Sequence, residues 1–261
     1  MKNLVHHYAS CTSTHDIAHE LLNKNAPHGT CVTADRQTCG KGRNGRKWVT
    51  TPFSIALSMI IETNVRLSQA AQINFLTTKI ICETLLESGY ETTIKWPNDV
   101  LLKNSNHIPH LPQYLKVCGI LIDTKINDQI ITNAILSMGI NIKRPKLPIK
   151  DLPLYAGFLH DTNPTVNKTA ILGRLIENLE KIPNQIQEKT SFQEAFYFYK
   201  SHCITMQKQV LVVIEGKKIS GTAIDISENG ALIIKTKDNT KKVIYSGYAH
   251  LTNNTIFSVS S

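Results

Sequence analysis

The sequence predicts an α+β fold: a mixed β-sheet domain carrying helices, followed by a small all-β domain of SH3-like barrel type. Three observations lead there. Strand alternation and helical periodicity interleave from the N-terminus onward; helical spacing ends near Cys203; and from Met206 short strands and turn signals recur at close intervals. The expected domains are residues 1–204 and 205–261.

Composition sets the outer limits. At 261 residues, 41% hydrophobic and 19% charged, the chain can bury a substantial core, and disorder or a fibrous class is excluded. Twenty-nine Lys and Arg against 20 Asp and Glu leave a charge of +9, which favours acidic partners: nucleotides, nucleic acid or an acidic protein domain. No apolar run approaches the ~20 residues of a membrane span, and the first residues lack a signal-peptide centre, so a cytoplasmic protein is expected. The six cysteines form no C-x-x-C pair, which points to reduced thiols rather than zinc or disulfides.

Ser13 and Thr14 read as helix N-caps with Asp16 as box partner, and Ile17, Ala18, Leu21 and Leu22 form an apolar stripe to about Asn25. The same hydroxyls and amides suit a small polar ligand, but capping is the better reading of an isolated Ser-Thr. Gly29 to Ala34 and Ser54 to Ile61 read as strands on either side of a basic loop. Leu67 to Ser88 is helical, with Ile73, Leu76, Ile80, Leu85 and Leu86 inward and Gly89 as a stop.

Thr92 to Leu102 reads as two short strands broken at Pro97, which places Asn98 and Asp99 in a bend. Asn104 to Gln113, with His107 and His110, is a loop; Pro109 argues against a helical metal pair. Lys116 to Asp123 and Gln129 to Asn141 are strands of a hairpin around Asn127-Asp128, and Lys116 opens the first as either a snorkelling surface residue or a carboxylate ligand. Arg144 to Phe158 is irregular. Helices follow at Lys168 to Lys189, kinked or split by Pro183, and at Phe192 to His202. The last third reads as strands at Val210 to Ile214, Ile219 to Ile226, Ala231 to Lys235 and Val243 to Tyr245.

The stretch Asp35 to Trp48 organises the chain. Gly40, Gly42 and Gly45 permit close approach or positive φ, while Lys41, Arg43, Arg46 and Lys47 crowd positive charge onto one loop beside Trp48. Its G-x-G-x-x-G spacing is no dinucleotide fingerprint, because no helix opens after Gly45; the chain runs instead into a proline-bounded strand. An anionic ligand capped by an aromatic ring is the expectation.

With these motifs in hand, the chain resembles the biotin protein ligases. The resemblance rests on Gly40 to Trp48, Lys95-Trp96-Pro97-Asn98-Asp99, Lys116 to Leu121 and Gly139-Ile140-Asn141, in family order and approximate spacing. It implies the class II aminoacyl-tRNA synthetase-like fold of that family. The implied activity joins biotin and ATP into biotinyl-5′-AMP, with Mg²⁺ arriving on ATP rather than held by a protein cluster. Transfer then goes to a lysine of the biotin carboxyl carrier protein of acetyl-CoA carboxylase.

Carried over by position, Ser13, Thr14, His15 and Gln37 would meet the biotin ring, with Gly40, Lys41, Gly42, Arg43 and Gly119 completing the acyl site and Lys116 holding the carboxylate. Arg43, Arg46, Lys47, Trp48, Asn98, Asp99 and Asn141 would face the nucleotide. Arg43, Lys116 and Asp99 would act in catalysis, Asp99 near the incoming lysine. His15 stands where the family usually has asparagine, Ser137 where it often has glycine, and the 104–115 loop is long. No winged helix precedes residue 1, so no DNA binding is expected, nor any membrane; a homodimer is compatible with the chain. A lipoate ligase is the nearest rival, and a basic nucleic-acid module the rival from another class; Gln37, as a polar ureido partner, favours biotin over a lipoyl tail.

Overall fold

The computed structural model describes residues 4–51, 53–104, 111–146, 149, 151–153, 155–214 and 216–251. The expected loop at His107 and His110 lies outside the described residues. Among the described residues, twelve strands and five α-helices follow one another as β1 (Val5–Tyr8), α1 (Thr14–Asn23), β2 (Cys31–Ala34), β3 (Ile55–Arg66), α2 (Ala71–Glu87), β4 (Thr92–Lys95), β5 (Asp99–Lys103), β6 (Tyr114–Asn127) and β7 (Ile130–Ile140). Then come α3 (Lys168–Leu179), α4 (Ile182–Gln187), α5 (Lys189–His202), β8 (Gln209–Ile214), β9 (Lys217–Ile226), β10 (Leu232–Lys235), β11 (Lys241–Ile244) and β12 (Tyr248–Leu251).

The first seven strands form one mixed sheet in the order β1-β2-β3-β7-β6-β5-β4, with β1 and β2 parallel and the remaining pairs antiparallel. The β6–β7 hairpin turns at Asp128 and Gln129, both with positive φ, as a two-residue turn between right-twisted strands requires. Pro183 falls at the start of α4 and divides the predicted long helix into α3 and α4, where its missing N–H costs nothing.

The two faces of this sheet differ in chemistry. One carries Leu57, Met59, Ile61, Leu136, Met138 and Ile140, all buried against α2 to α5 in the main core. The other face holds a small apolar patch where α1 lays Ala18 and Leu22 on Val32, Ile60 and Ile135. Beyond that patch its side chains become small or polar. Registered pairs point the same way, so Ala34, Ala56, Gly139, Gly119, Asp99 and Lys95 form one row across six strands. Four successive positions in that row carry a methyl group or nothing, which clears a trough along the sheet.

Strands β8 to β12 form a separate antiparallel sheet in the order β11-β10-β9-β8-β12. It fits the expected SH3-like type, although among the described residues no pairing joins its outer strands β11 and β12 to close a barrel. It is fastened to the first sheet through Trp96, which is 2% exposed: the indole Nε1 donates to Gly230 O at 3.0 Å, and the backbone N donates to Thr205 Oγ1 at 3.0 Å.

Several expectations change. Leu86 is exposed, because neighbouring positions on a helix diverge by about 100° and Leu85 takes the core. The edge strand β1 and the last strand β12 were not expected, since Val5-His6-His7-Tyr8 and Tyr248-Ala249-His250-Leu251 are too short and polar to show a pattern. Ser13 occupies the N-cap of α1 but makes no capping bond, and Asp16 makes no box. Gln37 Oε1 takes the Thr14 N–H instead, at 2.8 Å. No helix among the described residues is long and apolar enough to cross a membrane.

Candidate active site

The basic loop folds back on itself before it meets the sheet. Trp48 N donates to Gly40 O and Gly42 N to Arg46 O, both at 2.8 Å, and Lys41 bridges to Lys47. The tip is a short 3₁₀ turn, Arg43–Gly45, in which Asn44 and Gly45 take positive φ of 56° and 71°. That geometry suits asparagine and glycine, and it explains why the glycine spacing here serves a turn and not a helix entry.

The loop delivers Trp48 into the trough. Gly119 and Gly139 are register partners, and the indole lies against both: a Cβ at Gly139 would fall 2.2 Å from the ring and one at Gly119 2.8 Å. The tryptophan is therefore admitted by two absent side chains on neighbouring strands. Its Nε1 is buried with no hydrogen-bond partner among the described residues.

Lys116 reaches the same trough by a different device. Strict alternation from Gly119 would send it to the helix-covered face together with Cys118. A register shift between Val100 and Leu101 of β5 sets Val117 as an extra residue in β6, so Val117 and Cys118 both bury in the core. Lys116 is thereby re-aimed into the cleft, a common use of a bulge beside a site. Its Nζ lies 2.5 Å from Asp99 Oδ1 and 5.5 Å from the Trp48 ring centroid.

Asp99 is 4% exposed and opens β5 rather than occupying the bend before it. Lys95, its register partner, is fully buried with Nζ 4.0 Å from Asp99 Oδ2. Burial pushes the Lys95 pKa down to about 8, with Asp99 opposing and Lys116 and Arg46 adding to the fall. The tight turn between them contains a cis Trp96-Pro97 bond and is pinned at Pro97 O by Tyr199 Oη at 2.8 Å and Asn74 Nδ2 at 3.2 Å. Asn98 spends its amide on Ile120 O at 2.5 Å, so it steadies the turn. Lys95, Lys116 and Arg43 thus share a single carboxylate, and Arg46 adds its charge beside Lys95 and Arg43, an arrangement with spare positive charge for an anionic ligand.

At the α1 end the cleft is polar and internally bonded. Thr14 Oγ1 donates to Gln37 Oε1 at 3.1 Å, Ser58 Oγ donates to Thr14 Oγ1 at 2.9 Å, and Ser137 Oγ lies 2.8 Å from Ser58 Oγ. Ser13 Oγ, fully buried, has no partner among the described residues. At the opposite end, just past β7, Asn141 is pinned by its backbone to Val117 O while its buried Oδ1 has no partner among the described residues. Buried polar atoms are normally satisfied, so these two mark where a ligand completes the site. The cleft has a cavity volume of about 130 Å³ and is lined by both of these ends.

All the residues expected at the site from sequence line this cleft except Gly40, which is buried behind the loop. Two others are diverted. Lys41 pairs with Asp16 of α1 at 2.5 Å, a bond that raises its pKa. His15 has both ring nitrogens engaged, Nδ1 with Ser137 Oγ at 2.8 Å and Nε2 with Asp123 Oδ2 at 2.9 Å. Its burial lowers its pKa in spite of Asp123. The two departures from the family pattern, His15 and Ser137, therefore touch each other.

Sequence reasoning assigned no role to Lys95, Ser58, His19, Asp123 or His250. Asp123 also accepts from His19 at 3.0 Å. Burial works against its charge, yet the bonds from His19 and His15 hold its pKa below the usual carboxylate value. His250 of β12 brings the second sheet to the cleft's cationic side; burial, then the charges of Lys95 and Arg46, lower its pKa. Lys95 lay within a quoted motif and was available as a signal; Asp123 and His250 carried none.

A mixed sheet whose ligand face pairs a cation-rich end with a polar acyl-sized end defines the class: a domain that brings a carboxylic acid and a nucleotide together. Comparison with known proteins agrees. Residues 8–141 match the Biotin/lipoate A/B protein ligase family, and residues 207–248 match the Biotin protein ligase C terminal domain. The chain belongs to the biotin/lipoate A/B protein ligase family.

Among its relatives, the bifunctional ligase/repressor BirA of Bacillus subtilis is 24% identical over 246 residues, covering 93% of this chain and 72% of that protein. The biotin–[acetyl-CoA-carboxylase] ligase of Mycobacterium tuberculosis is 25% identical over 232 residues, covering 85% and 79%. The biotin protein ligase of Aquifex aeolicus, solved in complex with biotin and ATP, superposes with a TM-score of 0.74 at 25% identity over 97% of this chain and 99% of that one.

Proposed function

We propose that this protein activates biotin with ATP to biotinyl-5′-AMP and passes the biotinyl group to a lysine of a biotin carboxyl carrier protein. Its family membership and the biotin ligases among its relatives support the reaction. The observation that carries the assignment of parts is the pair of buried, unpartnered polar atoms, Ser13 Oγ and Asn141 Oδ1, at opposite ends of one cleft with Lys116 and Trp48 between them. Biotin, with its polar ureido ring, answers the Ser13 end better than the apolar dithiolane of lipoate does.

In this reading Ser13 and Thr14 meet the ureido group, and Gln37 fixes Thr14. Lys116, released in part from Asp99, holds the biotin carboxylate, and Arg43 and Arg46 take the phosphates. Two anions must approach for the carboxylate oxygen to attack the α-phosphorus and expel pyrophosphate, and fixed cations lower that barrier without consuming either charge. Mg²⁺ comes with ATP; Asn141 Oδ1 is the buried oxygen that would reach it, and phosphate and water would supply its other ligands. Asp99 stands beside the place where the carrier lysine attacks, and its hold on Lys116 makes it a positioning group for both steps.

The test is pyrophosphate exchange into ATP with biotin, with lipoate and with no acid, repeated for Lys116→Ala and Arg43→Ala. Biotin alone is expected to support exchange, and each variant to lose most of it. No exchange above blank with biotin would end the functional reading; normal exchange by both variants would end the residue assignment.

A further inference from the structure

The hydroxyl chain behind the acyl end has a fixed polarity. Gln37 Oε1 is oriented by the Thr14 N–H, so it can only accept from Thr14 Oγ1. Ser58 then donates to Thr14, Ser137 to Ser58, and His15 Nδ1 to Ser137. A neutral His15 that donates from Nδ1 presents the lone pair of Nε2 to a carboxylate oxygen 2.9 Å away. Something positive has to stand between them, either a second ring proton or a metal ion.

The surroundings favour the metal. His15 and His19 are four apart on α1, so their rings project from one side of the helix, and Asp123 meets them from β6. His15 Nε2, His19 Nε2 and Asp123 Oδ2 lie within 4.8 Å of one another, with the carboxylate 2.9 Å and 3.0 Å from the two nitrogens. Ser137 holds the far nitrogen of His15, as an outer partner commonly orients a ligating imidazole. The His19 and Asp123 side chains are 43% and 45% exposed, which gives an ion a path in and leaves a fourth position for water.

We propose that His15, His19 and Asp123 form a site for a borderline divalent transition metal, Zn²⁺ or a close analogue, at the rim of the acyl pocket. Two imidazoles and one carboxylate are the donor set such ions select over Mg²⁺ and Ca²⁺. Binding displaces any proton on the two Nε2 atoms to solvent and leaves His15 as the Nδ1–H tautomer that the hydroxyl chain demands. This departs from the expectation that the chain builds no metal cluster of its own, and it does not depend on the identity of the acyl substrate.

The experiment is titration of the chelator-treated full-length protein with Co²⁺, read by its visible absorption, followed by competition with Zn²⁺. One Co²⁺ per chain is expected to give the intense bands of a four-coordinate ion, and Zn²⁺ to abolish them. His19→Ala and Asp123→Asn are each expected to remove the bands while keeping the metal-free circular dichroism and melting curve. Ser137→Ala should weaken binding by roughly 10- to 100-fold. Absence of bands in the wild-type protein overturns the site. Bands that survive in both variants overturn it too, as does their loss only in His107→Ala, which would place the ion on the 104–113 loop.

Discussion

Gly139→Ala tests whether Trp48 rests on the sheet because two side chains are missing. The new methyl would meet Trp48 Cε2 at 2.2 Å and Nε1 at 2.3 Å, against a relaxed carbon contact of about 3.5–4.0 Å. The ring would have to retreat by roughly 1.5 Å. Gly139 sits within β7 without positive φ, so the alanine brings no backbone strain and the clash is the whole perturbation. Lifting one face of a half-buried indole exposes on the order of 50–80 Å², which costs about 1–2 kcal/mol. That shifts the balance between seated and lifted loop by about 5- to 30-fold. The chain has two tryptophans, and Trp96 is buried, so a change in acrylamide quenching reports Trp48. Trypsin cleavage at Arg43, Arg46 and Lys47 should accelerate by a similar factor while global melting moves little. Quenching and cleavage at wild-type rates would refute the account of how the loop is seated.

Other outcomes follow from the same geometry. Ser13→Ala removes a hydroxyl with no partner among the described residues, so thermal stability should hold while the KM for biotin in pyrophosphate exchange rises about 3- to 10-fold. Lys116→Ala leaves the buried Asp99 without its nearest cation and should cost about 3 kcal/mol in urea unfolding. Adding Asp99→Asn should restore most of that stability and none of the exchange activity, which separates the two roles of the pair. Lys95 titrates at about 8 when folded and at its ordinary value of 10.5 when unfolded, so between those values the unfolded chain binds more protons. Stability from this group is therefore lowest below pH 8 and recovers as pH rises toward 10.5, by up to about 3 kcal/mol. Lys95→Met should flatten that rise in unfolding curves measured across the window.

Legibility followed the range of the interactions concerned. The helix α2, the hairpin β6–β7 and the division at Pro183 are local events governed by periodicity, turn chemistry and a missing N–H, and the sequence displays all three. The loop from Gly40 to Trp48 could be read as anion-seeking because charge and glycine are contiguous there. The trough it covers could not: Ala34, Ala56, Gly139, Gly119, Asp99 and Lys95 come from six strands, and only register brings them side by side. The aim of Lys116 depends on one extra residue at Val117, which alternation alone predicts wrongly. Taken alone, Ser13 reads as a cap, because a hydroxyl at an N-cap usually bonds its own helix, and that its side chain makes no such bond shows only in three dimensions. His15 drew notice as an unusual residue, but its partners Ser137 and Asp123 lie more than a hundred positions away in the chain.

Trp96 has a bearing on how this protein can be cut. Its indole reaches across to Gly230, its backbone leans on Thr205, and the residues on either side are Lys95 and the turn that leads to Asp99. A truncation ending at residue 204 would retain every side chain of the cleft yet strip the cover from a large buried ring and orphan its N–H groups. The hairpin that spaces the two charges would then be free to drift. Laboratories seeking a minimal version of this enzyme should expect the distal sheet, remote in sequence and apparently accessory, to be inseparable from the chemistry.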